Sequence, residues 1–421
     1  MNKTYYKIEF ELSSPLIVGC GTERITDNDV SLNSLGKPYI PGTAIAGVLR
    51  HFLSEKNKEM ANKLFGEVEV DEVKRDKNAS ESQIITYDAN IIGEYNISIR
   101  DGVALDEYKV AKDGAKMNFQ VVETGAKFVT YLEDTNHNEG LVDELLSYLN
   151  SGECSFGSKT TRGYGNINVI KIGRKSFDSV KDWLDFDLSK YDSWNDYTPK
   201  SFEDSNYNTI VVTLKQKSGI SIRRYSTEPP ANDSEKESGP DSVHLTVKKD
   251  GEEVAVIPGT GWAGAFRNRM EENFSKKGLT SDISRLFGRV EDEKSKSLIM
   301  FSETQLKDTI SKINTRTAVD SITGGNLDGS LFTEKSYYKG HGELVIRIHK
   351  GVDVDYREAL AESFTDLHYG FMAIGGLTSV GRGLFEIEKM VVNGTDCIIG
   401  NKEEKNVYKT IKSELDKNIN L

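Results

Sequence analysis

The chain repeats itself at long range. Ile40-Pro41-Gly42-Thr43-Ala44-Ile45-Ala46-Gly47-Val48-Leu49-Arg50 returns about 217 residues later as Ile257-Pro258-Gly259-Thr260-Gly261-Trp262-Ala263-Gly264-Ala265-Phe266-Arg267. A repeat this long, near half of the 421 residues, selects two copies of one domain over any single-domain architecture. Each copy is large enough to bury a core without disulfides or metal.

The landmarks recur in one order. Each half opens on an alternating stretch, Lys7 to Ser14 and Val212 to Gly219, whose period of two predicts a half-buried strand. The Pro-Gly-Thr box follows, with Thr43 and Thr260 read as helix N-caps. Behind it Ile45, Val48, Leu49 and Phe52, and in the second copy Trp262, Ala265, Phe266 and Met270, fall on one helix face. Leu64-Phe65-Gly66 and Leu286-Phe287-Gly288 come next. Arg100 to Glu123 and Arg316 to Tyr338 read as hairpin arms rather than core. A strand and a helix follow, the helix ending near Gly152 or Gly370, and then a glycine loop before a closing strand. Strand, helix, strands, helix, strand is the split βαβ order, so the expected fold class is α+β, two tandem ferredoxin-like (RRM-like) domains with arm insertions. The expected boundaries are 1–174 and 207–395, with a weakly packed linker at 175–206 and a polar C-terminal tail at 396–421. The stretches 67–82 and 226–240, rich in charge, Ser and Pro, are expected to lie outside any core.

Composition excludes several classes. Three cysteines, Cys20, Cys154 and Cys397, lie far apart, which fits a reducing compartment and argues against a thiolate zinc site. No histidine pair has metal-ligand spacing, and no Ser-His-Asp constellation or nucleophile elbow is present. Without a leader or a membrane-length apolar run, the expectation is a cytoplasmic protein with no membrane partner. A net charge of −12 means that any grip on nucleic acid is local rather than a property of the whole surface.

Three kinds of segment can carry chemistry. The glycine loops, with Gly157, Lys159, Arg162, Gly163 and Gly165 in the first copy and Gly375, Gly376, Gly381 and Arg382 in the second, bring backbone N–H groups and cations together as a phosphate cradle would. Alternatively these glycines serve only a tight turn. Gly42, Thr43, Arg50, Gly259, Thr260 and Arg267 place a helix N-terminus and an arginine where an anion could sit, or form a plain helix start. The loop before each box holds a carboxylate, Asp27 or Asp29 in the first half and Asp241 in the second. Such a group could bind a divalent ion or orient an RNA 2′-hydroxyl, and it is equally the residue of an ordinary solvated turn. His51, beside Arg50, is the one candidate general base on the first helix.

Taken together, Ile-Pro-Gly-Thr before a short helix ending in Arg, the Leu-Phe-Gly after it and the terminal Arg/Gly loop resemble the RAMP superfamily of CRISPR-associated proteins. More narrowly, the chain is similar to fused double-backbone subunits of III-D-like type III effector complexes. That resemblance implies a subunit that binds guide RNA along the helix and glycine-loop surface, with arms, starting at Arg100 and Arg316, that splay a nucleotide of the paired target. It implies metal-dependent endoribonuclease cleavage of target RNA (Mg or Mn) by Asp27 and Asp241, which would also touch the metal, and partnership with other effector subunits. Two departures stand out: neither copy has the lysine usual at the start of the box helix, and no stacking aromatics of RRM type are recognisable. The alternatives are a metal-free processing enzyme for guide precursors that uses His51, and a non-catalytic scaffold.

Overall fold

The computed structural model describes residues 3–19, 21, 25–67, 80–105, 111–203, 205–224, 240–249, 251–276, 283–289, 295–397 and 406–419. Residues 68–79 and 226–239, the greater part of the two stretches expected outside a core, lie outside the described residues. The chain forms two compact units, one of Met1–Thr160 and Tyr164–Ser205, the other of Thr161–Gly163 and Asn206–Leu421.

In the first unit the elements are β1 (Lys3–Leu12), α1 (Gly42–Lys56), β2 (Ile84–Thr86), the arm strands β3 (Ile97–Leu105) and β4 (Ala111–Val122), β5 (Lys127–Asp134), α2 (Glu139–Asn150) and β6 (Ile167–Phe177). The sheet runs β2-β5-β1-β6 with every pair antiparallel, the ferredoxin-like order. Alternation along β1 sends Tyr6, Ile8, Phe10 and Leu12 into the core, where Phe10 stacks on Phe128 at 5.6 Å. Ile45, Leu49, Phe52 and Leu53 of α1 close over them. β1 begins four residues before the expected strand because it pairs along its whole length, to Asp134 on one side and Phe177 on the other.

The second unit repeats this with β7 (Tyr207–Gln216), β8 (Ser242–His244), α3 (Gly259–Lys276), β9 (Ile299–Phe301), the arm strands β10 (Ile310–Arg316) and β11 (Phe332–Tyr338), β12 (His341–His349), α4 (Arg357–Tyr369) and β13 (Phe385–Val392). Its sheet runs β9-β12-β7-β13, again antiparallel. Trp262, Phe266 and Met270 of α3 and Leu360, Phe364 and Leu367 of α4 fill the core. Gly370 ends α4 in the left-handed conformation, as expected.

Three expectations are corrected. The 175–206 segment is no weakly packed linker: Trp183 donates to the Tyr5 hydroxyl at 3.0 Å, Phe186 lies 4.8 Å from Phe177, and the Tyr197 hydroxyl donates to Asp143 at 2.6 Å. Trp183 and Phe186 pack with Tyr5 and Phe177, while Tyr197 and Phe202 pack against the core on the Tyr6 side. The C-terminal segment holds a helix, α5 (Val407–Asn418), whose Val407, Ile411 and Leu415 are buried in the second core together with Ile419. The four-residue spacing of apolar positions was there in a charged background. The Thr43 and Thr260 caps are absent: α1 starts at Gly42 behind Pro41 with no side-chain cap from either neighbour, and α3 starts at Gly259. Among the described residues no helix is long and apolar enough to cross a membrane.

Candidate functional site

The carboxylates at the arm bases share one geometry. In the first half the Asp27 N–H donates to the Asn118 side-chain oxygen at 3.0 Å, and the Asn118 backbone N–H donates to Asp27 Oδ2 at 2.8 Å. In the second the Thr333 backbone N–H donates to Asp241 Oδ2 at 2.6 Å and its hydroxyl to the same oxygen at 2.8 Å. Asn118 lies on β4 and Thr333 on β11, the returning strand of each arm. Each loop aspartate is thus clasped by one oxygen to its arm and stays exposed. The Thr333 N–H and hydroxyl hold the Asp241 carboxyl below its ordinary range. Asp29, by contrast, is buried and accepts from the N–H groups of Ile25 and Thr26 and from the Thr26 hydroxyl, all within 3.0 Å. It staples its own loop, which separates the two candidates that the sequence left side by side.

The glycine loops brace these same arm bases. A Cβ on Gly165 would lie 1.9 Å from the Phe156 carbonyl oxygen, and one on Gly383 1.9 Å from that of Ile374. Gly157 and Gly375 press likewise on the segment after the first strand of their halves, and Ser158 and Gly376 donate to the carbonyls of Ile17 and Ser221. At Gly163, in left-handed backbone, a Cβ would come 2.1 Å from a carbonyl oxygen, whereas Gly381 has open space around it. Close backbone approach therefore accounts for Gly157, Gly163, Gly165, Gly375 and Gly383, left-handed backbone alone for Gly381, and the tips, Thr160–Arg162 and Thr378–Val380, form short 3-10 turns. The matched Gly165 and Gly383 place Arg382 at the position of Tyr164 rather than of Arg162. Arg382 is held by the Tyr338 hydroxyl and by Glu334 at 3.6 Å. Arg162 is exposed, and Lys159 rests its ammonium 3.4 Å from the Phe119 ring centroid.

At the helix box the anion reading loses ground. The Gly42 N–H already donates to Asp88 at 2.7 Å, so a carboxylate of the chain itself sits at the start of α1. Gly42 and Gly259 allow α1 and α3 to touch the ends of β2 and β9: a Cβ would meet the Thr86 carbonyl oxygen at 2.4 Å and that of Phe301 at 2.2 Å. Thr43 is exposed and Thr260 half-buried. Arg50 donates to Asn62 and Arg267 to Glu271, each at 3.0 Å. The arm-base arginines are bound within the chain as well: Arg100, 3% exposed, pairs with Glu123 at 2.9 Å, and Arg316 with Glu334 at 2.7 Å. This corrects the expectation that the arms contribute no core. His51 has an acid partner, Glu55 at 3.2 Å on the exposed face of α1.

Asn118, Thr333, Asp88 and Glu334 escaped the sequence. Asn118 and Thr333 sit 91 and 92 residues from the aspartates they hold, and nothing local marks them. Among the described residues no three His, Cys, Asp or Glu side chains converge on a metal position. Each exposed aspartate can offer one ligand, enough for a hydrated divalent ion that takes its other ligands from water and phosphate oxygens, and too little for an all-protein cage.

The RAMP superfamily model matches residues 9–168 and 204–386, both halves of the chain. No curated protein matches. Among solved structures 270 chains match; one, described as Type III-B Cmr-beta bound to cognate target RNA, shares 14% identity at a TM-score of 0.34, with 41% of this chain and 61% of that chain covered. This chain therefore spans less than two thirds of that relative. With the family model covering two tandem ferredoxin-like units, the chain belongs to the RAMP superfamily of CRISPR-associated proteins.

Proposed function

We propose that the chain is a backbone subunit of a type III CRISPR effector complex that binds guide RNA and cleaves the paired target RNA through Asp27 and Asp241. The observation that carries this reading is the repeated clasp: in both halves an exposed aspartate is tethered by one oxygen to the returning strand of an arm. A tether of this kind fixes the carboxylate without consuming it, as positioned acid–base or ligand groups require. Asp27 and Asp241 would each supply one ligand to a Mg or Mn ion, which when bound would supply charge neutralisation at the phosphate. The chain's own contribution is to hold each carboxylate beside the arm, where a splayed target nucleotide would pass. Guide RNA, target RNA and neighbouring subunits complete the channel that an acidic chain does not form alone.

The test maps the products of a labelled complementary target cut by the assembled complex. Asp27→Ala and Asp241→Ala should each remove a distinct subset of cuts, with losses of at least 100-fold in rate, as on removing a catalytic acid–base group. A chelator should stop them all. If both variants cut everywhere at the parental rate, the scaffold reading holds instead. The His51–Glu55 pair favours a second reading, a metal-independent cut of guide precursors. Precursor processing that survives chelation and is lost in His51→Ala would establish it.

A further inference from the structure

The two halves seat the arm on the glycine loop through the same four positions and fill them with opposite chemistry. Backbone pairing sets the correspondence: Leu16 bridges Val122 as Ile220 bridges Tyr337, and the Ile17 and Ser221 carbonyls take equivalent N–H groups. Ile17, Phe119, Val121 and Tyr164 of the first half thereby match Ser221, Glu334, Ser336 and Arg382 of the second. The first set is a closed apolar cluster, with Tyr164 edge-on to Phe119 at 5.9 Å. In the second, Ser221, Glu334 and Ser336 are all 0% exposed, and the Glu334 carboxylate is shared by Arg316 and Arg382. The hydroxyls of Ser221, Ser242 and Ser336 and Oε1 of Glu334 are buried without a hydrogen bond of good geometry among the described residues, although the Ser221 and Ser336 hydroxyls face the Glu334 carboxylate.

Stability gives no reason for this exchange. A buried ion pair is commonly matched or exceeded by an apolar set of the same shape, and half-satisfied polar networks are costly. Placement does give a reason. Glu334 is the chain neighbour of Thr333, which holds Asp241. It also pins Arg316, whose side chain is 36% exposed and lies 5.9 Å from the Phe332 ring centroid, on the other side of Thr333. The second half therefore presents a fixed, reachable guanidinium next to its aspartate clasp. By strand register the first-half counterpart of Arg316 is Gly102, opposite Met117, while the nearby Arg100 is closed on Glu123 and buried.

Resting on the cleavage role proposed above, we infer that Glu334 is a positioning residue: it fixes Arg316 beside the Asp241 clasp, so that the second half meets the target phosphate with a cation held by a buried carboxylate and its cut depends on this buried network. The decisive variant transplants the first half's own set, Ser221→Ile, Glu334→Phe, Ser336→Val and Arg382→Tyr, into the full chain in its guide-loaded complex. The products that Asp241→Ala removes should fall at least tenfold, those that Asp27→Ala removes should persist, and the melting temperature should not drop. Parental cutting at every position by the folded transplant overturns the inference. If Asp241→Ala itself removes no product, the cleavage role has failed and the inference falls with it. Should the transplant unfold, Glu334→Gln decides: a tenfold loss at the second-half positions, restored to within threefold by Glu334→Asp, supports the role. No loss, or equal loss in both variants, rejects it.

Discussion

At the residue scale the structure sorts charged groups by what holds them. Two buried groups in the second arm base pull in opposite ways. Burial pushes the Glu334 carboxyl up, but the facing Ser221 and Ser336 hydroxyls and the Arg382 and Arg316 guanidiniums outweigh it, so it stays ionised. Burial pushes His244 from 6.5 down to about 4, and its Nδ1 accepts the Ile222 N–H at 2.9 Å, so the folded state keeps it neutral. The unfolded chain then binds more protons between those values, and stability from this site is full above pH 6.5 and declines as pH falls toward 4. Melting temperature against pH should show that decline, and His244→Asn, which keeps an acceptor, should flatten it. The paired Arg100 makes a different test. Arg100→Ala leaves Glu123 buried without its main cation, a change that costs about 3–5 kcal/mol. Chemical denaturation should register that loss, whereas a mere RNA contact would leave stability unchanged.

At the element scale the glycine loops and the last helix matter most. Gly165→Ala introduces a Cβ into the Phe156 carbonyl and keeps a left-handed backbone, so it should destabilise the first unit by more than the roughly 1–2 kcal/mol that left-handed backbone alone costs an alanine. Gly381→Ala meets only that backbone cost, because nothing lies near it. Equal effects in denaturant melts would show that the close approach at Gly165 is relieved by a small shift. Leu415→Ala in α5 should cost about 2–5 kcal/mol, the range for emptying a packed leucine site. Helix existence and the apolar faces of α1 and α3 were legible in the sequence, since each follows from a period of 3.6 read locally. The role of α5 was not, because three buried positions among lysines and glutamates look like a solvated tail until a core is present to receive them.

At the scale of the whole molecule, the proposed role requires a chain of net charge −12 to concentrate its cations, and most arginines considered for that task are engaged elsewhere. Arg162 is the exposed one at a glycine-loop tip. Arg162→Ala should lower the salt dependence of guide retention by about 0.7 in the log–log slope, one phosphate's worth for single-stranded RNA. Arg267→Ala, which loses only an exposed pair with Glu271, should leave that slope unchanged. Filter-binding titrations from low to moderate salt would separate the two. An unchanged slope for Arg162→Ala removes the loop tip from the RNA path.

By itself the sequence determined that the chain is a tandem of one α+β domain, the order of strands and helices in each half, and which loops carry a carboxylate. All of these are short-range patterns, and the repeat doubles the weight of each. The tertiary structure alone decided which of Asp27 and Asp29 is exposed, that Asp88 fills the helix start, and that one arm is seated on hydrocarbon and the other on a buried carboxylate. The physical reason is separation. The clasps on Asp27 and Asp241 are settled by partners some ninety residues away, and only the folded chain brings them within 3 Å.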